Sequence, residues 1–324
     1  MTLFVRWSRW MVALSMLLAS GVMQAAPSNV RLIVGYPPGG SLDFTARQIG
    51  VSAGEKLGIP IVIINQPGAS GTTAAGNVAR SEPDGYTILI GLLDDQILLP
   101  ILRKSVSYNP AKDFAPIARV ADFPLMLGAR TEFPANTLAN FIALAKKSPG
   151  ELKYASQGIG SVVHIPMEML MQKTGIKVSH VPYAGGAQAL LGLTRGDGVV
   201  VMFGSPGLFS PQIKAGRVKP LVTTGEQRHP DYPAVPTMAE AGVPDFVMTG
   251  WYGIFAPAAT PPAMVDRLSN ALVSVVGSPE YGRMLTQYGG QAVPQGHVEF
   301  SKFIESERQR YQRVIREGRI TIDE

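Results

Sequence analysis

Two glycine-rich segments near the N-terminal end of the chain carry the residue types that hold small anions. The first reads YPPGGSLD over Tyr36–Asp43, and the second reads GASGT over Gly68–Thr72. Glycine lets the backbone approach a ligand with no Cβ in the way, and the N–H groups that open a helix attract negative charge. Each hydrogen bond to a charged group is worth about 1.5–3 kcal/mol, so three or four amides can hold one carboxylate without an arginine.

Backbone donors and small hydroxyl groups make up most of the ligand-binding candidates in these two segments: Tyr36, Gly39, Gly40, Ser41, Asp43, Gly68, Ala69 and Ser70. We expect Ser41 to cap the following helix or to bind the ligand, and Asp43 to shape its loop because it would repel an anion. An ordinary strand-to-helix connection with a serine cap is the alternative interpretation of the first segment. No Gly-Lys-Ser/Thr follows the second segment, so a nucleotide-phosphate loop is not indicated.

Further polar residues lie at later strand-to-helix turns, where the ligand-binding candidates are Asp94, Ser156, Ser161, His164, Tyr183 and Ser205. His164 either donates to a ligand carboxylate or serves as a structural partner. Tyr183 either contacts the ligand or packs beside a hinge. Asp94 and Asp95 form a carboxylate pair suited to a divalent cation or to acid–base chemistry, with a solvated loop beside a cleft as the alternative.

The residue pattern does not support catalysis. The histidines lack metal-ligand spacing; they are His164, His180, His229 and His297. No G-x-S-x-G elbow surrounds a serine, and the chain has no cysteine to act as a nucleophile. We therefore predict no catalytic residue, no metal ion and no cofactor, and a hydrolytic enzyme is the least supported function.

Composition indicates a compact globular protein. The chain has 324 residues, of which 46% are apolar and 16% are charged, and this length suffices for two domains. Without cysteine there is no disulfide framework, so stability must come from the core. The formal net charge is +5, and no basic run is interleaved with aromatic residues, so nucleic acid is not an expected partner.

Residues 1–25 have the pattern of a secretory signal peptide. Arg6 and Arg9 give a positive start, an apolar run follows over Met11–Ala19, and small residues precede a cleavage site after Ala25. The apolar run is too short to span a membrane. We therefore expect a periplasmic protein that is soluble after cleavage and monomeric.

Strands and helices alternate so as to position these segments. Apolar strands at Arg31–Gly35 and Ile61–Ile64 run into the two glycine-rich loops, and a helix follows each. A second series of alternating strands and helices over 137–223 is typical of a parallel α/β domain. Extended stretches at Ile117–Leu127 and Phe246–Ala256 flank that series.

These patterns predict an α/β protein with two lobes joined by a double hinge. The first lobe is discontinuous, with residues 27–123 plus 249–324, and the second comprises residues 124–248. The two extended stretches are the crossings between the lobes. Closure of such a double hinge around a ligand is standard behaviour for this shape.

The sequence also resembles the Bug-type substrate-binding receptors of tripartite tricarboxylate transporters. The resemblance runs through essentially all of the chain after residue 26, in order, on the segments RLIVGYPPGGSLDFTAR, NQPGASGTTAAGNVARSEPDGYTILIG, YNPAKDFAPIARV, LKYASQGIGSVVHIPMEML, VPYAGGAQALLGLTRGDG, IKAGRVKPLVTTGEQRHPDYPAVPTMAEAG and WYGIFAPAATPP. It implies a type II-like (Venus-flytrap) periplasmic binding protein. Such a receptor captures a small organic carboxylate and delivers it to membrane transporter subunits. A receptor that presents its closed form to a sensor protein is the alternative.

Two segments depart from the family pattern. Gly204 and Ser205 stand where an acidic residue is frequent, and Leu92–Asp95 stands where a Ser/Thr-rich loop is usual. Without the acidic residue, a buried ammonium group would lack a partner. We therefore predict a ligand without an amino group, although Asp94 and Asp95 would favour an amine if they faced the cleft.

Overall fold

The computed structural model describes residues 27–287 and 289–318. The predicted signal peptide, residues 1–25, lies outside the described residues. The strands are β1 (Val30–Val34), β2 (Ile61–Asn65), β3 (Thr87–Leu92), β4 (Phe114–Pro124), β5 (Met126–Arg130), β6 (Lys153–Ser156), β7 (Ser179–Pro182), β8 (Val199–Gly204), β9 (Val218–Thr223), β10 (Thr249–Pro257) and β11 (Gln291–Gly296).

The α-helices are α1 (Ser41–Leu57), α2 (Thr72–Ala79), α3 (Leu99–Leu102), α4 (Pro110–Asp113), α5 (Leu138–Lys147), α6 (Ile165–Thr174), α7 (Gly186–Arg195), α8 (Pro206–Lys214), α9 (Pro262–Val276), α10 (Pro279–Gln287) and α11 (His297–Gly318). A 3₁₀ turn at Ala69–Gly71 precedes α2, and a π-helical turn at Asp94–Leu98 precedes α3. None of the helices among the described residues is long and apolar enough to cross a membrane.

The first sheet has the strand order β11-β4-β10-β3-β1-β2. β1 pairs in parallel with both β2 and β3, so Leu32 lies opposite Ile63 on one side and Ile88 on the other. Because parallel strands end at the same edge, the two glycine-rich loops that follow β1 and β2 emerge side by side. β10 is antiparallel to β3 and β4 and joins the two halves of this sheet.

The second sheet has the strand order β7-β6-β8-β5-β9 and is mixed. β6 is parallel to β7 and β8, whereas β5 is antiparallel to both β8 and β9. The parallel pairing expected of this α/β series is therefore found for β6, β7 and β8, whereas β5 departs from it. A parallel neighbour needs a crossover helix, but β5 enters directly from β4 with only Leu125 between them, so its direction is set by the crossing.

The arrangement is α/β with two lobes, as predicted. The extended stretch predicted over 117–127 is two strands, β4 in the first sheet and β5 in the second. The chain returns to the first sheet at Thr249. The first sheet thus contains β1–β4, β10 and β11, and the second contains β5–β9. We therefore propose the lobe boundaries given above, with residues 27–123 plus 249–324 in the first lobe and residues 124–248 in the second.

Two short elements were not expected from the sequence. The edge strand β11 has the sequence QAVPQG, whose proline cannot donate to a sheet and whose polar residues hide the strand pattern. α4 has only four residues, too few to show a helical pattern in the sequence. Pro110 opens this helix, and the Asn109 side chain accepts the Ala111 N–H as its cap.

The C-terminal helix α11 packs on β10. A Cβ added to Gly253 would collide with the ring of Phe300, so the glycine creates the space that this ring fills. Trp251 meets Phe300 and Phe303 edge-on, with ring centroids 5.8 Å apart in each pair. The helix thereby covers the first sheet where the chain returns from the second lobe.

Candidate functional site

A pocket lies between the two lobes and is called the inner pocket hereafter. Its lining residues are Tyr36, Pro37, Gly40, Ser41, Leu42, Asp43, Leu92, Phe123, Leu125, Gln157, Val162, Val163, Gly185, Gly186, Ala187, Gln188, Met202, Phe203, Gly204, Ser205, Leu208, Gly250 and Tyr252. Both lobes contribute, since the residues come from both sheets and from the crossings between them. This is the place where the parallel strand ends of the two sheets meet.

Two helices begin at the inner pocket without a side-chain cap. α1 starts after Gly40 in the first lobe, and α7 starts after Gly185 in the second. In contrast, Ser205 caps α8, since its hydroxyl oxygen accepts the Leu208 N–H at 3.3 Å. The first-turn N–H groups of an uncapped helix need an acceptor and sit at its positive end. Two such helix starts, one from each lobe, make the inner pocket suited to an anion.

The rest of the inner pocket is mostly apolar. Large apolar side chains from the first crossing and from the second lobe form its walls: Phe123, Leu125, Val162, Met202, Phe203 and Leu208. No lysine or arginine occurs among its described lining residues. The polar side chains are few, and Ser41 and Tyr252 already share a hydrogen bond of 2.9 Å between their hydroxyl oxygens. The pocket therefore fits an anionic group attached to an apolar body.

Asp43 lines the inner pocket but is engaged within its own loop. Its carboxylate accepts hydrogen bonds from the Gly39 N–H at 3.1 Å, from Arg47 at 2.9 Å and from Asn65 at 2.9 Å. Burial alone would raise the pKa of Asp43, but these hydrogen bonds together lower it. The ionised carboxylate thus holds the first glycine-rich loop in shape.

A second, more open pocket lies beside the inner one and is called the outer pocket. Its lining residues are Gly35, Tyr36, Pro67, Gly68, Ala69, Ser70, Arg103, Gln157, Gly158, Ile159, Pro182, Tyr183 and Ala184. Tyr36 and Gln157 line both pockets and so form a shared wall. The second glycine-rich loop opens into this outer pocket, so the structure separates the two loops that the sequence assigned to one site.

Asp94 accepts hydrogen bonds from residues of both lobes, next to the wall formed by Tyr36 and Gln157. One carboxylate oxygen, Oδ2, accepts the Tyr36 hydroxyl at 2.6 Å and the Gln157 amide at 3.1 Å. The other, Oδ1, accepts the Val162 N–H at 2.6 Å. Tyr36 belongs to the first lobe, whereas Gln157 and Val162 belong to the second. Burial raises the pKa of Asp94 to about 7, although these hydrogen bonds oppose the shift.

Asp95 is also buried, so the interpretation of this pair as a solvated loop is wrong. Asp94 and Asp95 are 0% and 2% exposed, because the π-helical turn folds them under β3. Asp95 accepts the Leu92 N–H at 3.3 Å and the Gln96 amide at 2.7 Å. Burial raises the pKa of Asp95 well above its usual range. Both carboxylates are internal to the protein.

His164 and His180 lie against each other in the second lobe, with ring centroids 4.4 Å apart. His164 Nδ1 accepts the Gly160 N–H at 3.3 Å, and His180 Nε2 is 2.6 Å from the Ser156 hydroxyl. Burial lowers the pKa of His164 to about 3 and that of His180 to about 4, so both are neutral at physiological pH.

The predicted site residues fall into three groups, which line the inner pocket, the outer pocket or neither of them. The inner pocket is lined by Tyr36, Gly40, Ser41, Asp43 and Ser205, and the outer pocket by Tyr36, Gly68, Ala69, Ser70 and Tyr183. Neither pocket is lined by Gly39, Asp94, Ser156, Ser161 or His164. The ligand-binding role of each candidate stays a prediction.

Several lining residues were not singled out from the sequence. Gln157 directly follows β6 and is the neighbour of the selected Ser156, so the same rule could have found it. Tyr252 and Phe123 lie on the crossings, where apolar residues carry no signal for a site. Within the part of the chain that the structure describes, no group of three or more His, Asp or Glu residues could hold a metal ion.

Comparison with known proteins decides the family. The sequence profile of the TctC family, described as "Tripartite tricarboxylate transporter family receptor", matches residues 45–320. The chain belongs to this receptor family. BugT of Bordetella pertussis is 31% identical to this receptor over 289 residues, which cover 89% of this chain and 88% of BugT. The predicted resemblance to Bug-type receptors is thus confirmed.

Two solved structures of Rhodopseudomonas palustris proteins have the same fold as this receptor. One contains adipate; it is 31% identical, has a TM-score of 0.87, and the match covers 90% of this chain and 98% of that one. The other is MatC with bound malate; it is 32% identical, has a TM-score of 0.84, and the match covers 89% and 98%. The fold is that of a periplasmic binding protein, since the solved structure of the periplasmic binding protein BugD also matches, at 30% identity and a TM-score of 0.85 over 90% of this chain and 98% of that one. Both Rhodopseudomonas relatives hold a dicarboxylate.

Proposed function

We propose that this receptor captures a small organic carboxylate in the inner pocket, without turnover, and delivers it to the membrane subunits of a tripartite tricarboxylate transporter. One observation carries the proposal: the uncapped starts of α1 and α7, one from each lobe, meet at a single pocket. A carboxylate bound there would accept N–H groups from both lobes at once and so favour the closed arrangement. The dicarboxylates of the two relatives agree with this chemistry.

The preferred ligand has no amino group. An ammonium in the inner pocket would need an acidic partner, and the only carboxylate among the described lining residues is Asp43, which Arg47 already pairs at 2.9 Å. Asp94 and Asp95 are engaged elsewhere and do not line the pocket. The apolar walls favour a mono- or dicarboxylate with an aliphatic or aromatic body.

A thermal-shift panel tests this function. Adipate, malate, benzoate, hexanoate, aspartate and glutamate are each added to the protein after removal of residues 1–25. A ligand at about 100 times its Kd adds about 2.7 kcal/mol and raises Tm by several degrees. We expect stabilisation by at least one acid without an amino group. Stabilisation by aspartate or glutamate alone would overturn the ligand class, and no stabilisation by any acid would overturn the function.

Gly40→Ala tests the site itself. The backbone of Gly40 has φ −84°, and an added Cβ meets no atom within 4 Å, so the change is compatible with the fold. Its methyl group would stand at the start of α1 inside the inner pocket. We expect at least a tenfold weaker affinity for the stabilising acid, measured by calorimetry. The Tm of the unliganded protein should fall by no more than a few degrees, because alanine is a poorer N-cap than glycine.

Gly282→Ala is the matched control. Gly282 lies within α10, and its added Cβ likewise meets no atom within 4 Å. This variant is expected to bind the acid with unchanged affinity and to be slightly more stable, because alanine favours a helix. Equal loss of affinity in both variants would contradict the placement of the ligand.

The location follows from the family and from the N-terminal pattern. We propose that residues 1–25 direct export, that cleavage follows Ala25, and that the receptor acts in the periplasm as a free monomer. Cell fractionation with N-terminal sequencing tests this. Recovery of the chain in the membrane fraction with residues 1–25 attached would contradict it.

A further inference from the structure

Asp94 connects the two lobes through hydrogen bonds that depend on their closure. Its Oδ2 accepts the Tyr36 hydroxyl of the first lobe at 2.6 Å and the Gln157 amide of the second lobe at 3.1 Å. Its Oδ1 accepts the Val162 N–H, also of the second lobe, at 2.6 Å. Asp94 is fully buried in this arrangement. Separation of the lobes would break the bonds to Gln157 and Val162 and expose the carboxyl group to water.

The groups of the first lobe that interact with Asp94 carry no positive charge. Among the described residues, no ion pair includes Asp94. Its titratable neighbours are the carboxyl group of Asp95 and the phenols of Tyr36, Tyr108, Tyr252 and Tyr311. Burial raises the pKa of each of these groups, and the charge of Asp94 raises it further. The phenols therefore stay neutral, and Asp95 holds its proton more tightly.

On the side of the second lobe, His164 lies two residues after Val162. Burial lowers the pKa of His164 to about 3, and His180 and Arg103 lower it further, so the imidazole is neutral at physiological pH. Arg103 of the first lobe thus acts on His164, and it forms no ion pair with Asp94. In the part of the chain that the structure describes, no cation therefore pairs with an ionised Asp94.

The hydrogen bonds of Asp94 fit both of its protonation states. A hydroxyl group donates or accepts, so Tyr36 donates to the carboxylate and would accept the proton of the neutral acid. The N–H donors of Gln157 and Val162 bond to carboxyl oxygens in either state. Burial raises the pKa of Asp94 to about 7, whereas a carboxyl group that faces water has an ordinary value near 3.8. The closed lobes therefore hold this proton more tightly than open lobes would.

We propose that Asp94 is a proton-dependent latch, which holds the second lobe closed on the first most firmly when its carboxyl group is protonated. By linkage, the ratio of closed to open molecules falls as the pH rises from about 4 to about 7 and is constant above about pH 8. Asp94 also acts as a positioning residue, because it holds Tyr36 and Gln157, which line the inner pocket. The latch itself does not depend on the proposed function; only its effect on ligand binding rests on that function.

The distance between the lobes tests the latch in the unliganded receptor after removal of residues 1–25. The chain has no cysteine, so Val51→Cys in α1 and Leu191→Cys in α7, at two exposed side chains, place one dye on each lobe. Single-molecule energy transfer then counts closed and open molecules between pH 5 and pH 8. We expect the ratio of closed to open molecules to fall about tenfold from pH 6 to pH 8. A ratio that does not change with pH would overturn the proposal.

Asp94→Asn and Asp95→Asn are a matched pair of variants in this background. An amide at position 94 has the shape of the neutral acid and cannot ionise, so the closed fraction should stay high at every pH. Asp95 accepts its hydrogen bonds from Leu92 and Gln96, both in the first lobe, so closure does not change them. Asp95→Asn should therefore keep the tenfold response. A response that persists in Asp94→Asn, or that disappears in both variants, would overturn the latch.

Proton uptake on binding links the latch to the ligand, with adipate as the probe. Calorimetric titrations at pH 6.5 in two buffers of different ionisation enthalpy measure the protons that the receptor takes up as it binds. We expect the wild type to take up more protons than Asp94→Asn, and equal uptake by the two proteins would overturn the role of Asp94 in binding. Failure of adipate to bind would bear on the proposed function alone, because the closure measurement needs no ligand.

Discussion

Asp94 places a carboxylate at the contact between the lobes, where it accepts hydrogen bonds from Tyr36, Gln157 and Val162. Burying the charged carboxylate is unfavourable, and burial accordingly raises the pKa of Asp94 to about 7 from an ordinary value near 3.8. The folded protein therefore binds this proton more tightly than the unfolded chain does. The stabilisation that Asp94 gives the folded protein is therefore complete at low pH, where the group is protonated, and is lost as the pH rises from about 4 to about 7.

Asp94→Asn should remove that loss. The amide oxygen still accepts a hydrogen bond, but no charge is buried at high pH. We expect the free energy of unfolding of the variant, relative to the wild type, to rise by about 2 kcal/mol between pH 5 and pH 8. Urea titrations at both values measure it. A difference that is constant with pH would contradict the buried-charge account.

Asp43→Asn is the control for this measurement. Its pKa is lowered, so the stabilisation that its charge provides is lost only as the pH falls below about 4. The variant should therefore lose stability by the same amount at pH 5 and at pH 8. The neutral pair His164 and His180 titrates in all three proteins and cancels from the comparison.

The secondary structure was largely predictable because its signals are local. Apolar residues at helical spacing marked α1, α5 and α7, and apolar runs that end in turns marked β1 and β2. Contacts set by strand register were not predictable. Tyr154 pairs with His180 across β6 and β7, and this register brings His180 against His164, sixteen residues away in the chain. The edge strand β11 could not be predicted either, because its pairing with β4 is decided by the fold around it.

The site was predictable in part, for the same reason. The sequence shows which loops follow which strands, so it identified Gly40, Ser41 and Ser205 as residues near a cleft. It does not show how far the second lobe closes over each loop. The split between an inner and an outer pocket, and the burial of Asp94 between the lobes, depend on that closure.

The packing of α11 on β10 gives a prediction for an element. Phe300 is fully buried over Gly253, and Trp251 meets its edge. Phe300→Ala leaves a cavity that the strand cannot fill, so we expect a loss of about 3–5 kcal/mol in the free energy of unfolding. Val298→Ala, on an exposed side chain of the same helix, should change it by less than about 0.5 kcal/mol. Equal effects in calorimetry would rule out this docking of the helix.

At the scale of the whole molecule, closure brings Gly289 of the first lobe against the start of α8 in the second. A Cβ on Gly289 would lie 2.7 Å from the Gly207 nitrogen and collide with Pro206. Gly289→Ala should therefore hold the lobes apart. We expect a larger radius of gyration in small-angle scattering at saturating acid, and a weaker affinity for it.

Gly242→Ala separates this effect from backbone strain. Both glycines have positive φ, +71° for Gly289 and +86° for Gly242, but the Cβ added at Gly242 meets no atom within 4 Å. Both variants should lose similar stability, whereas only Gly289→Ala should change the scattering curve. An expanded Gly242→Ala protein would attribute the change to strain and not to the contact between lobes.

The position of β10 in the middle of the first sheet fixes an order of events while the chain is being synthesised. All five strands of the second sheet are available once residue 223 has emerged, but β3 and β4 stay unjoined until β10 is complete at residue 257. During that interval β3, whose six residues are all buried in the finished protein, is an open apolar edge. It is the segment that a chaperone would cover on the nascent chain.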